Sequence, residues 1–173
     1  AEVDFAEVLK NETKTETITI SNSAGQDLIM GADPFDITGA DAARFAVTAT
    51  TCESAVLVRV VDSCTVDIRY PPTSRAVHAS QLEITSSAPD TPYVVALAGR
   101  GVAPVLNSNP DPYSYGEVPV ASDAVAKEYT IQNSGDAPLV FPDSSVSIAG
   151  VNPEPFAIPA DSCAVTSVDP EGT

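Results

Sequence analysis

The sequence predicts an all-β protein made of two tandem copies of one β-sandwich. An internal repeat is the first observation: from Thr19 to Cys52, eleven of 34 residues recur unchanged at an offset of 111, where chance composition would give roughly two. The second observation is a series of short segments that alternate apolar and polar residues, with turn-forming residues about every ten positions. The third is the lack of a helical hydrophobic period.

The strands of the first copy follow from this alternation. At 17–21, Ile18 and Ile20 face one side of the strand and the hydroxylated residues face the other, and Asn22 to Gly25 form a turn. Seven to nine such strands with regular turns are typical of an immunoglobulin-like sandwich. The predicted strands are Val3–Val8, Thr17–Ser21, Leu28–Met30, segments around Ile37 and around Phe45 and Val47, Cys64–Tyr70, Leu82–Ile84 and Tyr93–Ala98, with one helical turn through Arg44 that Asp41 caps.

The repeat also predicts the domain limits. Residues 1–102 form a complete sandwich, 103–112 with three prolines and two asparagines form a linker, and 113–173 form the N-terminal part of a second copy. The chain begins with Ala1 and shows neither a charged nor an apolar leader region, which predicts a processed or cut end.

Charge and hydropathy exclude two classes of partner. The net charge is −16, with 24 acidic against eight basic residues, so clustered Lys and Arg for phosphate contacts are lacking and nucleic acid is not an expected ligand. The longest apolar runs, such as Ala55–Val58 and Val94–Ala98, are too short to cross a bilayer, so no membrane insertion is expected.

The three cysteines differ in their expected pairing. Cys52 and Cys64 flank a short loop, and we predict a disulfide that contributes on the order of 3 kcal/mol; two free buried thiols are the alternative. Zinc is not expected, because two cysteines and one distant histidine do not complete four ligands. Cys163 matches Cys52, and its partner would fall at position 175, beyond Thr173. Copy two is therefore expected to be incomplete and to be completed by further chain or by another molecule.

The first copy resembles a known family of repeats. The residues that carry the resemblance are VDFAEV (3–8), ETITISNSAGQDL (16–28), ITGADAARFAVT (37–48), SCTVDIRYPPT (63–73), LEITSSAPDTP (82–92) and VALAGRGV (95–102). As a set they are similar to the choice-of-anchor D repeat of bacterial surface and secreted proteins. That repeat belongs to the wider ASH-type group, related to the major sperm protein and to periplasmic pilus chaperones.

The resemblance implies an immunoglobulin-like sandwich that acts as a spacer or adhesive segment of a long extracellular protein. Two features depart from the family pattern: Ala6 stands where glycine is usual, although copy two has Gly116, and the loop between Cys52 and Cys64 lacks the usual Pro-Gly turn. The family supplies no catalytic motif.

Few residues qualify as a site. His78 is the only histidine and has no recognisable nucleophile beside it, so we expect an exposed strand or loop histidine and no catalysis by this chain. No cofactor is expected, although calcium at the domain junction is a minor alternative. Its candidate ligands are Asp33, Asp36, Asp41, Asp90, Asp111 and Asp143.

The sequence thus predicts a structural or adhesive module of a cell-surface or filament protein, outside the cell or in the periplasm. Its partners are proteins, or other copies of itself, that bind through exposed strands. Two alternatives remain open: a non-catalytic accessory domain of a secreted enzyme, and a subunit that polymerises by strand complementation.

Overall fold

The computed structural model describes residues 1–58, 62–142, 146–164 and 166–173, and it divides into unit 1 (Ala1–Val102) and unit 2 (Ala103–Thr173). In the described part, the regular structure is β-strand apart from one 3-10 turn, which confirms the all-β class. The same part contains no helix with the length and apolar character needed to span a membrane. The strands of unit 1 are β1 Glu2–Leu9, β2 Lys14–Ser21, β3 Leu28–Thr38, β4 Ala46–Thr50, β5 Val56–Leu57, β6 Ser63–Tyr70, β7 Val77–Ser86 and β8 Tyr93–Val102, with the 3-10 turn Ala42–Arg44 before β4.

The larger sheet of unit 1 has the order β1-β8-β7-β3-β5. Strand β1 pairs with β8 in parallel, from Glu2 opposite Ala96 to Leu9 opposite Val102, whereas the other pairs of this sheet are antiparallel. A bulge interrupts β1 between Asp4 and Glu7.

The bulge in β1 contains a residue with left-handed backbone. Ala6 lies there with φ of 54°, and its counterpart Gly116 has φ of 65°. Both residues are therefore in the left-handed region, which glycine adopts at little steric cost and alanine does not.

The smaller sheet of unit 1 has the order β2-β6-β4 and faces the larger one across a shared core. The clearest strand of the sequence, β6, is its centre, and its buried side chains alternate as the pattern predicts. Phe5 of β1 and Tyr70 of β6 bring the two sheets together, with ring centroids 5.4 Å apart, and Phe45 stacks on Tyr70 at 5.0 Å. Burial of each such ring stabilises the fold by roughly 1.5–3 kcal/mol.

Unit 2 contains β9 Leu106–Asn109, β10 Thr130–Asn133, β11 Leu139–Val140 and β12 Ser167–Val168. Its pairing of β11 with β12 reproduces that of β3 with β5: Leu28 lies opposite Leu57, and 111 residues later Leu139 lies opposite Val168. The repeat therefore holds at the level of backbone pairing in this region. Tandem immunoglobulin-like sandwiches remain a prediction.

The segment predicted as a linker, 103–112, differs from expectation. Residues 106–109 form β9, which pairs antiparallel with β10, and the segment belongs to unit 2. Its prolines, Pro104, Pro110 and Pro112, lie outside β9, so Leu106 to Asn109 keep the backbone N–H groups that a strand requires.

Candidate functional site

His78 lies in β7 and is only 4% exposed, which contradicts the prediction of an exposed histidine. Its Nδ1 is 2.7 Å from the Tyr70 hydroxyl, and its Nε2 is 3.3 Å from Ser74 Oγ. The alternation in β7 contains the signal that was missed: Leu82 and Ile84 point inward, and His78 has the same parity. Both ring nitrogens are thus engaged in holding the core together.

Tyr70 is fully buried between the two sheets. Burial raises the pKa of Tyr70 above its ordinary value of 10.0; the nearby Asp41 carboxylate raises it further, and Arg44 lowers it. The phenol therefore stays protonated, and able to donate a hydrogen bond, to high pH.

Cys52 and Cys64 form a disulfide with a Cα–Cα distance of 5.1 Å. The two residues are 0% and 3% exposed and belong to the core of unit 1. Disulfides are typical of oxidising compartments such as the periplasm and the cell exterior. Cys163 is a free, partly exposed thiol.

The acidic residues considered as calcium ligands do not form a metal site in the described part, where no group of three or more His, Cys, Asp or Glu residues could hold an ion. Asp41 makes no side-chain cap on the turn Ala42–Arg44, contrary to prediction, because its Oδ2 accepts a 3.0 Å hydrogen bond from Ala79 N–H on β7. Asp143 lies outside the described residues. Of the other candidates, Asp33 and Asp36 lie in β3, Asp90 in the turn before β8, and Asp111 shortly after β9.

A buried asparagine joins a turn to a short strand in each unit. In unit 1, Asn22 Nδ2 donates to the carbonyls of Gln26 and Leu57, each at 2.8 Å, and its Oδ1 accepts from Ala24 N–H at 3.0 Å. We call this set of bonds the asparagine bracket. The sequence indicated only a turn-forming residue here, and identity between the copies was the available signal.

The asparagine bracket recurs in unit 2 at the offset of 111. Asn133 Nδ2 donates to the carbonyls of Ala137 and Val168, and Asn133 Oδ1 accepts from Gly135 N–H. Asn133 is 0% exposed. The same side chain therefore closes the same turn onto the same short strand in both units.

Unit 2 carries an open apolar groove of about 780 Å³. The residues of this groove are, in part, the counterparts of core residues of unit 1. Phe156, for instance, is 52% exposed, whereas its counterpart Phe45 is 5% exposed. Groove residues with core counterparts are Tyr115, Ile131, Ile148, Phe156 and Cys163.

In unit 1 three of these positions are covered by the strand β6. Phe5 and Phe45, the counterparts of Tyr115 and Phe156, contact Tyr70 at the end of β6. Cys52, the counterpart of Cys163, is bonded to Cys64 near the beginning of β6. The described part of unit 2 contains no strand in this place, so its apolar side chains line a groove instead of a closed core.

These features define an all-β protein with a closed core in unit 1 and an open apolar groove in unit 2. No family model and no curated protein matches the sequence. Among solved structures, the chain is similar to the secreted serine protease VesC from Vibrio cholerae (22% identity, TM-score 0.47, 59% of this chain and 22% of that one). It is also similar to the Vibrio cholerae VesB protease (13% identity, TM-score 0.43, 58% of this chain and 29% of that one). The matches span less than a third of either protease chain.

Proposed function

We propose that this chain is a non-catalytic structural module of an extracellular or cell-surface protein, acting as a spacer or adhesive segment. In this proposal each unit is based on the immunoglobulin-like sandwich of the choice-of-anchor D type. The repeated strand pairing and the repeated asparagine bracket support a common fold for the two units.

The parallel pairing of β1 with β8 is the observation that carries the proposal. Ala96 N–H bonds to Ala1 O at one end of this ladder, and Lys10 N–H bonds to Val102 O at the other. Because the strands are parallel, the chain enters unit 1 at one end of the ladder and leaves it at the opposite end. Tension between the ends of unit 1 therefore loads these hydrogen bonds together, in shear, as a load-bearing spacer requires.

Two further features support a structural role. The core disulfide links Cys52 to the beginning of β6, and it limits how far unit 1 extends if it unfolds. His78, the single histidine of the sequence, has both ring nitrogens engaged by Tyr70 and Ser74. The alternative prediction is an accessory role in a secreted enzyme. In that case the same module is joined to a catalytic domain and not to a surface protein.

Single-molecule force spectroscopy on the full chain tests the proposal. With handles at both chain ends, we expect unit 1 to give a distinct force peak that releases a contour length on the order of 30 nm. Reduction of the disulfide adds about 4 nm, because the 12-residue separation of Cys52 and Cys64 can then extend.

A change of pulling geometry is the matched control. A tag inserted after the exposed Asp90, in the turn before β8, allows force to be applied between this turn and Ala1. Both points lie at the same end of the β1–β8 ladder, so its bonds break one at a time and the peak force drops several-fold. Equal forces in the two geometries would refute the load-bearing role.

A further inference from the structure

We propose that the groove of unit 2 is a binding site for an extended β-strand of a partner protein, with the chemistry of β6. The strand is apolar at alternate positions, begins with a cysteine and ends with an aromatic residue, as Cys64 to Tyr70 do. The inference rests on the proposed function in one respect, that both units share one fold.

The aromatic residues of the groove show where the end of the strand would lie. Tyr115 and Phe156 have ring centroids 5.8 Å apart and an interplanar angle of 53°. Their counterparts Phe5 and Phe45 are 5.6 Å apart at the same 53°. In unit 1 the third ring is Tyr70, within 5.4 Å of both. The Tyr115–Phe156 pair therefore matches the part of the unit 1 cluster that receives the Tyr70 ring, and Tyr113 adds a ring against Tyr115 at 5.1 Å.

The backbone of β10 offers the matching edge. In unit 1, Asn22 N–H donates to Asp62 O, and β6 continues from there along β2. In unit 2, Asn133 N–H donates to Gly172 O at 3.0 Å, and Asn133 O accepts from Glu171 N–H at 2.8 Å. A ladder thus begins beside β10 at the position equivalent to the start of β6.

Further along this edge, β10 has room for an added strand. Strand β9 lies on the opposite edge, because Ser134 N–H, one residue on from Asn133, bonds to Val105 O. In the described part β9 is the only strand paired with β10, so the edge at Ile131 that faces the ladder of 171–172 is open to strand addition.

The negative charge of unit 2 favours a strand with basic residues on its solvent-facing side. Unit 2 contains ten acidic residues and one basic residue, Lys127. A strand with basic residues at its solvent-facing positions is therefore attracted, whereas an acidic strand is repelled. A second copy of this chain is a poor donor, because its own β6 is bonded through Cys64 and buried through Val66, Ile68 and Tyr70.

A synthetic peptide provides the probe. It has the sequence of residues 62–72 with a fluorophore at its amino end. Asp67→Lys changes a solvent-facing residue, and Cys64→Ser keeps the peptide non-covalent. Fluorescence anisotropy with the full chain is expected to give a Kd of about 10 μM or lower. A peptide of identical composition whose apolar positions are shifted by one residue presents the wrong face and is expected not to bind.

Two substitutions localise the binding. Phe156→Asp places a charge in the groove at a half-exposed position and raises the Kd at least about tenfold, whereas Val151→Asp, at a residue 96% exposed and outside the groove, leaves it unchanged. Tyr70→Ala in the peptide has the same effect as Phe156→Asp without altering the protein. Equal binding of all peptides, or equal effects of the two protein variants, would overturn the inference.

Cys163 gives a covalent readout of register. The peptide with its cysteine retained is activated as a mixed disulfide with thionitrobenzoate; the Cys163 thiolate attacks the peptide sulfur, and thionitrobenzoate leaves as the coloured thiolate. Exchange is expected to be at least about tenfold faster than with the shifted peptide, since binding raises the effective concentration of the two sulfurs.

Other results would contradict the strand-binding site in distinct ways. Equal exchange rates for the two peptides mean that Cys163 is merely accessible. A dimer in sedimentation that the peptide does not dissociate means that a second copy fills the groove. Neither outcome bears on the force response of unit 1, so failure here is distinguishable from failure of the proposed function.

Discussion

Among single residues, Tyr70 connects most parts of the core of unit 1. Its ring contacts Phe5 and Phe45, and its hydroxyl is hydrogen-bonded to His78. Alternation along β6 places Tyr70 on the same face as the buried Val66 and Ile68. The partner of its hydroxyl does not follow from the sequence, because Tyr70 and His78 meet only when β6 and β7 face each other across the core.

The raised pKa of Tyr70 predicts a loss of stability at high pH. Its folded pKa exceeds the unfolded value of 10.0, so the stabilisation is fully present below pH 10 and is lost as the pH rises through the folded pKa. Above pH 10 the free energy of unfolding should fall by up to about 1.4 kcal/mol per pH unit. Urea titrations between pH 9 and 11 measure this slope.

The Tyr70→Phe variant should lose this additional slope, and its stability at pH 8 should fall by about 1–3 kcal/mol because His78 Nδ1 loses its buried partner. Tyr93→Phe, at an exposed tyrosine of β8, is the control and should retain the wild-type slope. An unchanged slope in Tyr70→Phe would show that another group causes the alkaline transition.

At the level of elements, the asparagine bracket joins the turn after β2 to the two-residue strand β5. A strand as short as Val56–Leu57 has few contacts of its own, and its pairing with β3 involves two residues. The side chain of Asn22 supplies the additional bond to Leu57 O that holds this strand in register.

Asn22→Ala should lower the free energy of unfolding of unit 1 by about 3 kcal/mol, because two carbonyls lose their donor and one amide loses its acceptor. Hydrogen exchange should show the greatest loss of protection in the turn 22–26 and in β5. Gln81→Ala, at an exposed amide of β7, is the matched control and should change stability by less than about 0.5 kcal/mol. Uniform loss of protection throughout unit 1 would contradict a local role for the bracket.

In the molecule as a whole, the two units share one repeated sequence pattern but differ in how far their strands enclose a core. Unit 1 encloses its core between sheets of five and three strands, whereas the described strands of unit 2 form two sheets of two strands each. The disulfide lies in the core of unit 1, and the equivalent cysteine of unit 2 is free. Stability and partner binding should therefore be divided between the units.

Removal of the disulfide tests this division. Cys52→Ala combined with Cys64→Ala should destabilise unit 1 by about 3 kcal/mol, as expected for a loop of this size, and should leave peptide binding by unit 2 unchanged. Cys163→Ser should instead abolish thiol exchange with the peptide and leave the unfolding of unit 1 unchanged. Urea unfolding and thionitrobenzoate release measure the two effects, and loss of both in one variant would contradict the division.

The sequence alone determined the all-β class, most strand positions, the residues of the disulfide and the internal repeat. These features depend on alternation with a period of two and on identity at a fixed offset, both of which are readable along the chain. The same local signals could not reveal a strand within the proline-containing segment 103–112, because β9 is stabilised by its pairing with β10.

Only the tertiary structure decided the parallel pairing of β1 with β8, the burial of His78, the asparagine bracket and the open groove. Each depends on residues far apart in the chain: Glu2 meets Ala96, and Asn22 meets Leu57. The alternation along a strand indicates which side chains point inward. Which strand packs against those side chains depends on how the strands assemble. For this reason the sequence predicted strands, whereas the parallel β1–β8 ladder and the groove emerged only from their packing.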